Sequence, residues 1–524
     1  MKLTLDRMGT GGYGPVVSKE PGMANFAKAL VMACAAAVVA APLAAATPPA
    51  WAGFGGNAQH TARAPAGAQN FVNMHWTARV DEAPQLVGGE LLIHYGSPMI
   101  SALNTVLIPV KSKANGSFRV DARLGSTGAL LWSQATDWTM PAHNWAPPLP
   151  AVIDAANRLY IAGAGGTLLR RASIDQPNGA LSRIAFYGLG EYQTHRVAYN
   201  KAVQISTPLT ADASRNIFFG FTVSGATNAG LKSGIARISL AGNGIWTSAA
   251  TASGDPTMTQ VAMNCAPAIS NDGQTVYIAV SNGSSGYLLG LDSTTLAPKY
   301  KVALLDPASG QKAQIFNDST ASPTIGPDGD VYYGVLENPF THNDRGWLLH
   351  FSADLTVKKT PGSFGWDNTV SIVPKALIPS YTGPSSYLLM TKYNNYYGLP
   401  NSGDGHNKIA IIDPNQAQVD PYSSATVMMD VQTILAPTQY PGEPAGAVYE
   451  WCINSAVVDA ANGVVIANSE DGHVYRWNLA TNTLTQSMTL NPPVPEAYTM
   501  TVIGPDGTVY VINNSTLHAI GNAP

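Results

Sequence analysis

A β-hairpin motif recurs along this 524-residue chain, and the repetition constrains the fold more than any other feature of the sequence. Each copy is a short apolar strand, a tight turn rich in Asp, Asn and Gly, and a strand of alternating β-branched and aromatic residues. The turn residues supply the positive φ angles or side-chain-to-backbone bonds that a hairpin needs there. Clear copies are AVIDAANRLYIAG (151–163), LTADASRNIFFG (209–220), AISNDGQTVYIAV (268–280), TIGPDGDVYYG (324–334), AVVDAANGVVIA (456–467) and VIGPDGTVYVI (502–512).

The spacing of the hairpins predicts an all-β fold built by radial repetition. Units begin near residues 98, 148, 208, 267, 323, 375, 455 and 500, and most continue into a third strand such as HVYRWN (473–478). A β-sandwich has no reason to repeat one hairpin, whereas each blade of a propeller buries its faces against its neighbours. We therefore predict a single eight-bladed β-propeller, with seven blades as the alternative.

The two ends of the repeat region are expected to meet in one blade. The last unit, from Tyr498 onwards, is short of a fourth strand, and two strand-like segments precede Pro98: HWTARV (75–80) and LLIHY (91–95). We predict that one of these segments completes the final blade and closes the ring. Deleting residues 70–97 is then expected to lower the melting temperature of the whole domain.

The N-terminus has the features of an export signal. Residues 26–46 read FAKALVMACAAAVVAAPLAAA, in which Lys28 precedes an apolar run that ends in small residues. A transmembrane anchor is the alternative, but the run is rich in Ala and broken by Pro42. Cleavage sites of the A-x-A type occur at 44–46 and 50–52, and translation could start at Met23. We assign 1–52 to a signal peptide and leader, 53–97 to a segment contributing the closing strand, and 98–524 to the propeller.

Composition excludes several classes of protein. The formal net charge is −4, only 12% of residues are charged and 45% are hydrophobic, which is the reverse of a disordered chain. The sequence lacks the basic stripe of a nucleic-acid-binding protein, so we expect no nucleic-acid partner. After export only Cys265 and Cys452 remain. They occupy similar places three units apart, so we predict two unpaired thiols across the channel, unless long loops bring them together as a disulfide.

The repeat motifs resemble those of the PQQ-like (quinoprotein-dehydrogenase-like) β-propeller superfamily. The resemblance rests on the S/T-P start of the units, the D-G-x-V-Y turn and the stretch TGALLW (127–132), and it covers most of residues 98–520. It implies the propeller fold. The superfamily contains quinone-dependent alcohol dehydrogenases, an outer-membrane assembly factor and secreted proteins of unassigned role, so the resemblance specifies no single function.

Candidate site residues lie just before the first strand of each unit, because in a propeller these loops surround one mouth of the channel. They are polar and aromatic, as in a ligand-binding pocket, although strand-end hydrogen bonding and channel water would also account for them. The predicted channel-mouth residues are His143, Asn144, Trp145, Asn264, Asn317, Asp318, Trp366, Asp367, Asn368, Glu450, Trp451 and Asn454. The histidines show no metal-ligand spacing, and no metal site is predicted.

Three functions remain open, and we favour an exported, periplasmic or extracellular scaffold that binds a protein or small molecule at the channel mouth. The first alternative is an oxidoreductase using PQQ and calcium, the cofactors that the resemblance implies. However, the family's dehydrogenases hold the quinone against a disulfide of adjacent cysteines, which this chain lacks, and no haem motif occurs. The second alternative is a polysaccharide lyase or hydrolase using Asp318, Asp367 and Glu450 as acid and base.

Overall fold

Each sequence repeat forms one antiparallel sheet, and eight such sheets surround a central channel as the blades of a β-propeller. The computed structural model describes residues 47–398, 403–497 and 500–522. The predicted start at Met23 and the signal-like run of residues 26–46 lie outside these ranges. Within them, no helix is long and apolar enough to span a membrane.

Three strands precede the first blade. Blades 1 and 2 are four-stranded antiparallel sheets, and blades 3 and 4 have five strands because two short inner strands both pair with the next strand. The preceding strands are β1 (Asn73–Arg79), β2 (Leu86–Val87) and β3 (Glu90–His94). Blade 1 contains β4 (Met99–Ile100), β5 (Thr105–Lys111), β6 (Phe118–Leu124) and β7 (Leu130–Thr136). Blade 2 contains β8 (Ala151–Ile153), β9 (Leu159–Gly163), β10 (Thr167–Arg171) and β11 (Leu181–Ala185). Blade 3 contains β12 (Val203–Ile205), β13 (Thr210–Ala211), β14 (Ile217–Val223), β15 (Gly234–Ile238) and β16 (Gly244–Ser248), and blade 4 contains β17 (Gln260–Val261), β18 (Ala268–Ile269), β19 (Thr275–Ser281), β20 (Gly286–Asp292) and β21 (Pro298–Ala303).

The second half of the ring repeats this plan with two irregularities. Blade 5 contains β22 (Thr324–Ile325), β23 (Val331–Val335) and β24 (Trp347–Phe351), and blade 6 contains β25 (Ser371–Pro374), β26 (Tyr387–Tyr393), β27 (Lys408–Val419) and β28 (Thr426–Leu435). Blade 7 contains β29 (Val457–Asp459), β30 (Val464–Asn468), β31 (His473–Asn478) and β32 (Thr483–Thr489). After β33 (Glu496–Ala497), blade 8 contains β34 (Val502–Ile503), β35 (Val509–Asn513) and β36 (Thr516–Gly521). In blade 5 only the bridges from Leu348 to Gly362 and from Phe351 to Lys358 mark a fourth strand, and blade 8 borrows its fourth strand from the N-terminal segment.

The eight blades confirm the predicted architecture, and the strand burial explains the repeat. The second strands β9, β19, β23, β30 and β35 are buried along their whole length. Both faces of such a strand pack against neighbouring blades, so it needs apolar residues at every position. The outer strand β32 instead alternates between exposed and half-buried positions. Short helices that the sequence pattern does not predict lie at Leu189–Thr194, Arg196–Ala202 and Ala249–Ser253, with 3₁₀ turns at Ala164–Gly166 and Lys375–Leu377.

Hydroxyl side chains on the central strands link neighbouring blades. Thr210 Oγ1 donates a hydrogen bond to Pro267 O at 2.6 Å, and Thr324 Oγ1 donates one to Val370 O at 3.0 Å. Ser371 Oγ donates to Ala456 O at 2.5 Å. These bonds satisfy carbonyl groups that the short central strands would otherwise leave unpaired in a buried position.

Ring closure joins the two ends of the described chain. Strand β1 pairs antiparallel with β36, from Asn73 opposite Gly521 to Arg79 opposite Thr516. The prediction that residues 75–80 or 91–95 complete the final blade is therefore confirmed for the first segment. The second segment, within β3, pairs parallel with β33 instead.

Residues 51–64, which we call the plug, cross one end of the channel. Trp51 bridges Ile100 and is fully buried. The plug carbonyl groups accept hydrogen bonds from amides of five central strands, at 2.7–3.0 Å: Ile153 to Ala52, Ile269 to Ala58, Ile325 to Gln59, Ile372 to Thr61 and Val458 to Ala62. The plug therefore covers the end at which the central strands leave the channel, and the pre-strand loops surround the other end.

Candidate functional site

The pre-strand loops meet around a cavity of about 350 Å³, which we call the mouth cavity. This volume suits a small molecule. Its lining residues are Glu90, His94, Trp145, Asp318, Asp344, Trp366, Asp367, Lys392, Tyr396, Glu450 and Cys452. Five of the predicted channel-mouth residues are among them: Trp145, Asp318, Trp366, Asp367 and Glu450.

A smaller cavity of about 40 Å³, the inner chamber, lies between the mouth cavity and the plug. It shares His94 and Asp367 with the mouth cavity, and Phe54 of the plug forms part of its wall. Two further predicted residues, Asn264 and Asn454, line it. A chamber of this size accommodates a few waters or the terminal group of a ligand.

The other predicted residues do not line either cavity. His143 and Asn144 are exposed, and Trp451 is fully buried in the core of blades 6 and 7. Asn317 accepts a hydrogen bond from Gln260 Nε2 at 2.9 Å, and Asn368 donates one to Thr391 Oγ1 at 3.0 Å. Asn317 and Asn368 therefore stabilise loops through hydrogen bonds, and Trp451 packs in the hydrophobic core.

The two inner-chamber asparagines are fixed by their amide groups. Asn264 Nδ2 donates to Asn317 O at 3.2 Å and to Ser319 O at 3.3 Å. Asn454 Nδ2 donates to Thr320 Oγ1 at 2.7 Å and to Asp367 O at 3.2 Å. Among the described residues, neither Oδ1 atom has a hydrogen-bond partner, although both atoms are buried. Each of the two asparagines that line the inner chamber thus carries a buried acceptor without a donor.

The backbone at Asn264 and Asp367 adopts a conformation that most side chains avoid. Asn264 has a φ of 63° and Asp367 a φ of 52°, in the left-handed region that Asn and Asp tolerate better than other residues. Asp367 Oδ1 accepts a hydrogen bond from the Thr320 N–H at 2.6 Å, which fixes its carboxylate. The loops are therefore held in specific shapes at the points where they face the channel.

The mouth cavity is acidic. Five carboxyl groups line it, those of Glu90, Asp318, Asp344, Asp367 and Glu450, and Lys392 is the one lysine or arginine among its described lining residues. Burial lowers the pKa of His94, with Asp367 and Asp318 acting in the opposite direction, so its imidazole is neutral near pH 7. Burial raises the pKa of Glu450 to about 7, opposed by Lys392 and reinforced by Glu90.

Several lining residues lie outside the loops that precede the central strands. Glu90 and His94 lie on β3, in the segment before the first repeat, where LLIHY indicates a strand but not its position. Lys392 lies near the end of β26, a second strand. The repeat motif marks the loops before the central strands, whereas the far ends of the second strands carry no motif that indicates a site.

The two described cysteines are unpaired, as predicted. Cys265 is buried in the core between blades 4 and 5. Cys452 precedes the central strand of blade 7, three blades further round the ring, and lines the mouth cavity. Burial raises the pKa of both thiols.

Comparison with known proteins identifies the fold. No protein-family model matches the chain, and no curated protein matches it in sequence. The quinohemoprotein alcohol dehydrogenase from Comamonas testosteroni has a similar structure, with 11% identity and a TM-score of 0.52 over 92% of this chain and 82% of that one. BamB from Moraxella catarrhalis aligns with 13% identity and a TM-score of 0.45 over 86% and 99% of the two chains, and Saccharomyces cerevisiae Sqt1 with 10% and 0.49 over 87% and 100%. The chain has the fold of the PQQ-like β-propellers, and at such low identity the likeness extends to the fold alone.

The residues of the mouth do not fit the quinone cofactor of the dehydrogenases. PQQ is a polycarboxylate anion, and a cavity lined by five carboxyl groups and one lysine repels it. The chain also has no two adjacent cysteines with which to clamp a quinone ring.

A buried carboxyl group beside the mouth gives the stability a pH dependence. Glu496 accepts hydrogen bonds from Tyr95 O–H at 2.6 Å and from the Asn514 N–H at 2.5 Å. Burial nevertheless raises its pKa to about 7, because these bonds only partly offset the loss of hydration. The folded state therefore binds this proton more tightly than the unfolded chain, and the associated stability is present below pH 4.5 and lost as the pH rises through 7.

We expect Glu496→Gln to remove this pH dependence. Relative to the variant, the parent should lose up to about 3 kcal/mol of unfolding free energy between pH 4.5 and pH 8. Urea denaturation of both proteins at several pH values measures the difference. Parallel stability profiles across that range would show that Glu496 is ionised in the folded protein throughout.

Proposed function

We propose that this chain is an exported binding protein whose propeller takes the cationic group of a small amine through the acidic mouth. The observation that carries the proposal is the pair of buried, unpartnered acceptors in the inner chamber, Asn264 Oδ1 and Asn454 Oδ1. A buried acceptor without a donor destabilises the protein, and a ligand that donates an N–H or O–H to it removes this destabilisation. The ligand must therefore bring donors.

The surroundings select among ligands that carry donors. Carboxylates around the mouth stabilise a positive charge and disfavour an anion. Trp145, Trp366 and Tyr396 add aromatic surface, which attracts cations through the ring faces. An ammonium group combines the charge with three donors, so it matches both the mouth cavity and the inner chamber.

Calorimetric titration with a panel of small ligands tests this proposal. We expect primary amines to bind, whereas neutral polyols of similar size bind more weakly and polycarboxylates such as PQQ do not bind. Asn454→Leu keeps side-chain volume and removes the acceptor without left-handed backbone strain, whereas Asn264→Leu adds that strain; each should weaken amine binding about 10- to 100-fold. Circular dichroism melting of each variant confirms that it folds.

Matched controls come from the same predicted ring. His143→Ala and Asn144→Ala alter exposed side chains outside both cavities, so amine affinity should stay unchanged. If calcium bound and no amine did, the ligand would be a metal ion and the amine proposal would be wrong. Equal affinity of the parent and both Asn→Leu variants would place the amine elsewhere.

Export rests on the sequence of residues 26–46, and the fold favours one of the two cleavage sites. Cleavage after Ala46 leaves the plug intact, whereas cleavage after Ala52 removes the buried Trp51. We therefore propose a mature N-terminus at Thr47. N-terminal sequencing of the protein secreted by its host tests this, and a chain that retains residues 26–46 would contradict export by this route.

A polysaccharide hydrolase is a second candidate because Asp318, Asp367 and Glu450 line one cavity. The raised pKa of Glu450 suits a general acid, and the neighbouring aspartates supply the second carboxyl group that hydrolysis requires. Release of reducing ends from a polysaccharide panel, lost in both Glu450→Gln and Asp367→Asn, would support this function. Absence of product with every polysaccharide leaves the binding function.

A further inference from the structure

Three side chains with metal-ligating atoms converge on the wall between the mouth cavity and a neighbouring cavity. A carboxylate oxygen of Glu450, the Sγ of Cys452 and a carboxylate oxygen of Glu470 all lie within 4.8 Å of one another. Glu450 and Cys452 lie two positions apart in the loop before β29, and Glu470 lies in the turn between β30 and β31. The loops are joined because the Glu470 N–H and Ser469 Oγ both donate to Glu450 O at 3.1 Å.

None of these three side chains has a hydrogen-bond or ion-pair partner among the described residues, although the cluster is largely enclosed. The Glu470 side chain is the most enclosed, at 6% exposure, and it faces a cavity of about 220 Å³ that Glu450 and Cys452 also line. An ionised carboxylate in a buried position without donors is destabilising, and a second carboxylate nearby adds to the destabilisation. Burial raises the pKa of Glu470, and the charges of Glu450, Glu90 and Glu496 reinforce the effect.

The wider surroundings leave the cluster short of positive charge. Glu90 lines the same cavity from β3, and Glu443 lines it from the loop after β28. Lys392 is the one cation that acts on the cluster from the described residues, and it also faces the mouth cavity. A second positive charge would stabilise the ionised cluster.

We propose that Glu450, Cys452 and Glu470 bind a divalent transition-metal ion of the zinc class. The donor set selects this class, because calcium and magnesium take oxygen ligands, whereas zinc takes thiolate together with carboxylate. Tetrahedral zinc with bonds of about 2.0–2.3 Å holds its ligand atoms roughly 3.3–3.8 Å apart, so small side-chain movements from the present spacing suffice. Three protein ligands leave a fourth position facing the cavity, for Glu90 or a water molecule.

Cobalt titration of the metal-stripped full chain tests this site directly, since Co²⁺ takes zinc positions and reports thiolate ligation by a near-ultraviolet charge-transfer band. We expect one equivalent of Co²⁺ to produce the band and Zn²⁺ to abolish it, with no effect of excess Ca²⁺ or Mg²⁺. Cys452→Ser should remove the band, and Glu470→Gln should weaken Co²⁺ binding at least about 10-fold.

The chain offers a matched control for each variant. Cys265→Ser removes the other described thiol, and Glu443→Gln removes a half-buried carboxyl group that lines the same cavity outside the cluster. Both should retain the band and the affinity of the parent. Cys452→Ala is a second thiol variant, and melting curves without metal show whether each protein is folded.

Absence of the band in the folded parent would overturn the proposal and indicate that the cluster shares protons instead. Retention of full affinity in both Cys452→Ser and Glu470→Gln would also overturn it, by placing the metal elsewhere. The cluster shares Glu450 and Cys452 with the mouth cavity but contains neither inner-chamber asparagine, so Asn264→Leu should leave cobalt binding unchanged. Failure of one proposal therefore leaves the other standing.

Discussion

A chain that begins at Thr47 and lacks residues 70–97 is expected to melt about 10 °C or more below the chain that keeps them. The deletion removes β1, so β36 loses its partner strand and the ring opens. It also exposes the surfaces against which Phe71, Val80, Leu91, Ile93 and Tyr95 are buried. Burying one large apolar side chain contributes about 1.5–3 kcal/mol, and a chain of this size loses roughly 1 °C of Tm per kcal/mol.

The control for this deletion lies within the same segment. Leu86 and Val87 form β2 and are 60% and 61% exposed, so replacing both with Ser should change Tm by about 1 °C or less. Calorimetry of the three proteins makes the comparison. If the deletion melted with the parent, β1 would not be part of the cooperative ring, and closure between the chain ends would be wrong.

A chain that begins at Pro65, and so lacks the plug, is expected to melt about 5–10 °C below the chain that begins at Thr47. Five central-strand amides lose their acceptors, each at a cost of about 1–3 kcal/mol where water does not replace them. The buried Trp51 ring is lost as well. The single substitution Trp51→Ala should by itself destabilise the protein by about 3–5 kcal/mol.

The plug prediction has a conservative counterpart. Trp51→Phe keeps an aromatic ring in the same place, so it should cost less than half as much as Trp51→Ala. Chemical denaturation of these proteins gives the unfolding free energies. Equal stability of the chains that begin at Thr47 and at Pro65 would show that the plug does not bind the central strands in solution.

The fold was predictable because its determinants are local and repeated. The turn glycines of three clear hairpins, Gly273, Gly329 and Gly507, have positive φ angles of 74°, 91° and 84°, as their D-G motifs predict. The same local signal recurs around the ring, so the sequence indicates both the blade and the number of blades. The two short helices between β11 and β12 were missed because helices of six or seven residues carry little periodic signal.

The candidate site was only partly predictable because its residues do not all share one place in the repeat. Five lining residues precede central strands, so the repeat motif indicates their position: Trp145, Asp318, Trp366, Asp367 and Glu450. Glu470 follows a second strand, and its distance from Cys452 depends on the packing of two loops. The plug contacts the central strands through its backbone carbonyl groups, so no side-chain pattern in the sequence predicts it.

Amide hydrogen exchange of the chain that begins at Thr47 is the most direct test of a closed propeller with a plugged channel and a single mouth. Residues 73–79 and the amides of Ile153, Ile269, Ile325, Ile372 and Val458 are expected to exchange as slowly as those of the buried second strands. Rapid exchange at the five central-strand amides, or in β1 while the second strands stay protected, would contradict this architecture and remove the basis for a binding site at the opposite mouth.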